Sequence, residues 1–202
     1  MKKISSLSFC ILLISFFFSG KLFAQAWSAE QLEKANTAKN TPYLNQDEKE
    51  VVKYLNLARL YPQQFLETEL RDYNGPEKYG GYLKDSPYKA SLIAEMTTMS
   101  PLGIINPDSD LYNFAKCFAK ESGDAGSTGH NRVACAQMQG AWGECCSYGM
   151  ETGKDIVLQL LIDHDVSSLG HRHICLSKDF STVGVGIWPH KVYQVCSVLD
   201  FK

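Results

Sequence analysis

"STVGVGIWPHKVYQVCSVLDF", residues 181–201, decides the fold class. Val183, Val185 and Ile187 alternate with Gly184, Gly186 and Trp188, the two-residue period of a strand with one buried face. Pro189-His190-Lys191 reads as a turn, and "VYQVCSVLDF" brings the chain back, so the spacing predicts a C-terminal β-hairpin. Upstream the period changes to that of helices. Asn45 followed by Glu48 has the form of a capping box ahead of Val51, Tyr54, Leu55 and Ala58, and Pro62 stops that helix near Tyr61. A shorter helical stretch is expected over 63–70. Residues 71–90 mix Gly, Pro, Asp and tyrosine and read as a loop. Pro107-Asp108-Ser109 opens a second long helix, with Leu111, Phe114, Ala115 and Phe118 on one face and Gly123 suited to its C-terminal cap. Thr152 and Asp155 precede "IVLQLLID", a helix apolar over most of its circumference and therefore buried on most sides. Helices first and antiparallel strands last make this an α+β chain.

The 202 residues carry a formal charge of −2, with 45% apolar and 21% charged residues, which excludes disordered and low-complexity classes and gives no electrostatic case for a nucleic-acid partner. Residues 1–26 read as a secretory leader. Lys2 and Lys3 precede an apolar run from Leu7 to Phe18, and Ala24-Gln25-Ala26 is a small-x-small cleavage pattern. The run is shorter than the roughly 20 residues a spanning helix needs, so no transmembrane segment is expected after cleavage. Export predicts a secreted or periplasmic protein. Residues 27–46, polar and without clear periodicity, form an expected flexible lead-in to a single domain over 47–202. Six cysteines follow the leader: Cys117, Cys135, Cys145, Cys146, Cys175 and Cys196. An even count in an oxidising compartment predicts up to three disulfides, with adjacent Cys145 and Cys146 joined to different partners.

Four of the five histidines fall between Gly129 and His173, interleaved with carboxylates: His130 in "GHNR", Glu144 in "WGECC", Asp163 and His164 in "LIDHD", His171 and His173 in "LGHRH". Imidazole and carboxylate together can ligate zinc or move protons near neutral pH. Asp155, Gln159 and Asp163 lie on one stripe of an otherwise apolar helix. A solvent-facing stripe and one lining a polar cavity have the same periodicity.

The ordered set "YLNLARLYP", "GHNR", "GECCSYG", "VLQLLIDHDVSSLGHRHICL", "FSTVGVGIW" and "VCSVLDF" closely resembles the bacterial branch of the CAP superfamily, which covers cysteine-rich secretory, antigen 5 and pathogenesis-related proteins. The resemblance spans roughly residues 47–201. It implies an α-β-α sandwich around a small antiparallel sheet, with a central cavity lined by His130, Glu144, Asp163 and His171. It also implies that His130 and His171 hold a divalent metal such as zinc, the acids standing nearby. Two departures matter: the usual "GEN" reads "GEC", putting Cys145 where the family has an amide, and Asp163 is a methylene shorter than the glutamate of many relatives. The leading expectation is a secreted, non-enzymatic binding module for a small ligand, lipid or extracellular partner. A metal-dependent hydrolase and a purely structural polar cluster are the two alternative readings.

Overall fold

The computed structural model describes residues 26–202 other than 138 and 141. The expected leader falls outside the described residues except for its last position, and Cys10 lies outside with it. The described chain forms α1 (Ala29–Ala35), α2 (Gln46–Leu60), α3 (Pro62–Phe65), α4 (Pro87–Thr98), β1 (Asn106–Pro107), α5 (Ser109–Ala125), β2 (Gly143–Tyr148), α6 (Gly153–Ile162), α7 (Gly170–Cys175), β3 (Thr182–His190) and β4 (Gln194–Phe201). No helix among the described residues is long and apolar enough to cross a membrane.

The sheet runs β1-β3-β4-β2. The expected hairpin is β3–β4, in register from Val183↔Phe201 to His190↔Gln194. Its turn, residues 191–193, falls two residues later than the Pro-His-Lys signal, because His190 Nδ1 accepts the N–H groups of Val192 and Tyr193 and so organises the reversal from the strand end. β2 pairs antiparallel with the outer side of β4, while β1 adds two residues parallel to β3, so the sheet is mixed rather than wholly antiparallel.

Helices cover both faces, as an α-β-α sandwich requires. α5 lies directly on β3 and β4. A Cβ at Gly184 would stand 2.0 Å from the Leu111 backbone carbon, so that close approach depends on glycine there. Gly123 is inside α5; the helix is capped by Gly126 at φ 73, in the left-handed region that favours glycine. α2, α6 and α7 cover the opposite face, where Val51, Leu55, Ile156, Leu160, Val185 and Leu199 build the larger core. Ala115, Phe118, Ala119, Cys146, Cys196 and Val198 build a smaller one under α5.

α2 begins at the predicted Asn45–Glu48 capping box and ends before Pro62. The 63–70 stretch is helical, as α3 followed by a π-helical turn at Leu66–Leu70. Two expectations are corrected. The lead-in is docked, because Ser28 and Gln31 form a capping box for α1 and Trp27 donates to Glu69 at 2.7 Å. The 71–90 loop gives way to α4 at Pro87, started by the Ser86 side chain on the Lys89 N–H and by a proline in the first turn.

Candidate functional site

The site forms at the free edge of β2. Alternation on this strand sends Glu144 and Cys146 toward the α5 side and Cys145 toward α7. Glu144 sits opposite Asp200 in the β2–β4 register, and Arg132 joins them. Arg132 Nε donates to Glu144 Oε2 at 2.9 Å, its Nη2 donates to Glu144 and to both Asp200 oxygens at 2.8 and 3.0 Å, and Nη1 reaches the Phe114 carbonyl. The guanidinium also lies 4.6 Å from the Phe118 ring centroid.

His130 rides on the loop after α5. The Cys117–Cys135 disulfide and Glu121, whose carboxylate accepts the N–H groups of Val133, Ala134 and Cys135, tie that loop to α5. The Tyr148 hydroxyl accepts the Gly129 N–H at 3.0 Å from the other side. His130 Nδ1 is thereby held 2.8 Å from Glu144 Oε1, with its ring half exposed.

The second pair comes from the other helical layer. Asp163 ends α6 in a left-handed conformation, φ 54, and its carboxylate meets the start of α7. One oxygen lies 2.7 Å from His171 Nδ1 and the other accepts the His171 N–H at 3.0 Å. The rings of His130 and His171 lie with centroids 5.9 Å apart, tilted 34° to each other. All four residues expected at the site therefore come together as two histidine–carboxylate pairs. A proton on Nδ1, donated to the carboxylate, leaves each Nε2 lone pair free for a ligand.

A cavity of about 260 Å³ opens beside the pairs, lined by Tyr82, Tyr148, Gln159, Asp163, His164 and His171 among others. Of the polar helix stripe, Gln159 and Asp163 line this cavity, and Gln159 also accepts from Ser147 and donates to the Tyr148 carbonyl. Asp155 is engaged by the Tyr73 hydroxyl at 2.8 Å. His130 and Glu144 line an adjoining concavity with Trp142 and Ile174.

Charge sets the protonation of the α5-side pair. The hydrogen bond His130 donates to Glu144 raises the His130 pKa above its ordinary value, outweighing partial burial. Burial pushes Glu144 the other way, yet the His130 hydrogen bond and the Arg132 charge hold it below the usual carboxylate range. Burial, with the Glu144 charge adding to it, drives Asp200 up to about 7 despite Arg132. Cys146 is also pushed well up, by burial and by Glu144. The ligand atoms of His130, Glu144 and Cys146 lie within 4.8 Å of one another and could hold a metal ion. Imidazole, carboxylate and thiolate together are a donor set for zinc-like ions rather than for calcium or magnesium.

Two site members were not singled out in the sequence. Arg132 neutralises and orients Glu144, and Asp200 anchors Arg132 from the opposite strand; a buried glutamate requires a countercharge, and an arginine two positions after His130 was the available signal. His164, named among the interleaved histidines but outside the four residues implied by the resemblance, lines the cavity, its Nδ1 2.8 Å from Ser86 Oγ and its ring edge-on to Tyr82 and Tyr88.

The cysteine expectation of up to three disulfides is met in part. Among the described residues the structure holds one disulfide, Cys117–Cys135, and Cys145, Cys146, Cys175 and Cys196 are buried thiols. Strand alternation separates the neighbours: Cys145 lies 4.0 Å from Cys175, whereas Cys146 lies 3.7 Å from His130 Nδ1.

No family model matches the chain, and no curated protein matches it significantly.

Proposed function

We propose that this chain is a secreted CAP-type binding module whose paired histidines take up a divalent metal, zinc by donor chemistry, or a small polar ligand. The observation that carries this reading is the convergence of two histidine–carboxylate pairs, ring centroids 5.9 Å apart and tilted by 34°, with Asp163 and His171 lining one cavity and His130 and Glu144 a second concavity. Each carboxylate holds its imidazole by Nδ1, which orients Nε2 and raises its basicity as a ligand. Around His130, two carboxyl groups share one guanidinium, so once Asp200 ionises, above about pH 7, the cluster carries one uncompensated negative charge when the ring is neutral. A cation at the His130 position, proton or metal, balances it.

The binding reading is favoured over nucleophilic catalysis by the arrangement at Cys146. Its sulfur and Glu144 approach the same nitrogen of His130, so the ring cannot be held by the acid at one nitrogen while taking the thiol proton at the other. Burial further keeps this thiol protonated.

Calorimetric zinc titration tests the proposal. His130→Ala and His171→Ala should each lose binding by tenfold or more, about 1.4 kcal/mol. Asp163→Asn should have a smaller effect through the His171 orientation. His190→Ala should leave affinity unchanged, because His190 is occupied with Ser127 and the hairpin turn. Absence of zinc binding at millimolar metal and neutral pH would discard the metal reading, and equal loss with His190→Ala would show that the wrong residues were assigned.

A further inference from the structure

We propose that Cys145 and Cys175 form a second, reversible disulfide that staples β2 to α7 directly behind the two histidine–carboxylate pairs. Their sulfurs are 4.0 Å apart and both residues are almost completely out of solvent. Closing that gap to a bond of about 2.05 Å moves each sulfur by about 1 Å, within reach of side-chain rotation at the end of a short helix. The placement ties the bond to the site. Cys145 is the neighbour of Glu144, and Cys175 lies one helical turn after His171, whose carbonyl receives the Cys145 S–H at 3.7 Å. The staple would fix the helix that presents His171 against the strand that presents Glu144.

The other cysteines do not compete. Cys146 projects from the opposite face of β2, Cys196 lies on that same far side with its S–H on the Ala119 carbonyl at 3.2 Å, and Cys117 and Cys135 are already joined. The chemistry is thiol–disulfide exchange with a small disulfide such as oxidised glutathione. One protein thiolate attacks it, forming a mixed disulfide and releasing one glutathione thiolate; the second protein thiolate displaces the other. The protein loses two S–H bonds and gains one S–S bond, and the oxidant leaves as two thiols. Both sulfurs are shut away from solvent, so a soluble disulfide reaches them slowly in the folded protein and quickly while α7 is undocked, and the state of the staple records the redox conditions under which the chain folded.

The test is to refold the reduced chain in a glutathione redox buffer, alkylate it, and map it without reduction using cleavage after Glu144 and Glu151 together with trypsin. The expected map joins Cys145 to Cys175 and leaves Cys146 and Cys196 alkylated. Cys146→Ser gives the same map with one cysteine in the β2 peptide, and fragmentation between Cys145 and Cys146 makes the assignment in the unsubstituted chain. Amide hydrogen exchange across α7 should slow by about tenfold relative to a Cys145→Ser/Cys175→Ser chain. An alkylated Cys145, or a Cys145 bonded to Cys146 or Cys196, overturns the proposal, as does a crosslinked chain whose α7 exchanges at the unlinked rate. Neither readout involves a metal, so failure here leaves the zinc titration standing and the reverse.

Discussion

Asp200→Asn should flatten the pH dependence of folding stability. Asp200 is fully buried, lies opposite Glu144 in the β2–β4 register and shares Arg132 with it. Its carboxyl ionises near 3.8 in the unfolded chain but is pushed up to about 7 in the fold. Between those values the folded protein holds one more proton than the unfolded one. The contribution is fully present below 3.8 and is lost as pH rises through 7. From pH 5 to pH 8 the loss is roughly 2.5 kcal/mol. His130, whose pKa is raised, acts in the same direction, favouring the fold below its unfolded value and losing that stability as pH rises through the folded one. Glu144, held low, acts oppositely and loses its contribution in acid. Both remain in the variant, so the difference between the two proteins reports Asp200 together with the change its charge makes to Glu144 and His130. Asparagine keeps an acceptor for the Arg132 Nη2 donor while removing the charge. Urea unfolding at pH 5, 6, 7 and 8 should show the parent losing about 2–3 kcal/mol more than the variant across that range. Parallel pH profiles would mean that Asp200 is already ionised in the fold at pH 5, and the proton placed on it would be withdrawn.

Arg132→Met strands Glu144 and Asp200 as buried carboxylates without a countercharge and should cost about 3–5 kcal/mol at pH 8, less at pH 5, by the same unfolding assay. Gly184→Ala forces α5 off β3, since the new methyl would meet the Leu111 backbone at 2.0 Å; a loss of about 2–3 kcal/mol is expected, and a shift in melting temperature measures it. Zinc affinity should fall with acidification, and because Glu144 raises the His130 pKa the decline should begin above pH 6.5; repeating the calorimetric titration from pH 8 to 6 checks this.

The legible parts of the chain were those whose own neighbours dictate them. The Asn45–Glu48 box, the stop at Pro62 and the Val-Gly alternation of β3 are local rules, and each appears in the structure. α4 was not legible because only Lys89, Leu92 and Met96 are fully buried on it, too little of a stripe to register as a period. β2 carries no alternating pattern, since both its faces are covered and five of its six residues are buried. The four expected site residues came from ordered motifs, whereas Arg132 and Asp200 are defined by a register 68 positions apart that no local pattern encodes. The cysteine count carried parity but not direction: the pleat of β2, which turns Cys145 and Cys146 apart, determines which sulfurs can meet.

The two halves of the site are anchored in different slabs of the molecule. His130 is bolted to α5 through Glu121 and the Cys117–Cys135 bond, while His171 belongs to the α6–α7 layer across the sheet edge. The gap between the imidazoles is thus a calliper reading of how the slabs sit against each other, and whatever bridges the rings clamps it. A bridging ligand at a hundredfold excess over its Kd would add about 2.7 kcal/mol to the resistance of the whole fold to unfolding. Conversely, any shear between the slabs changes the jaw width before it disturbs either histidine's own carboxylate, so grip can be lost while both pairs stay intact.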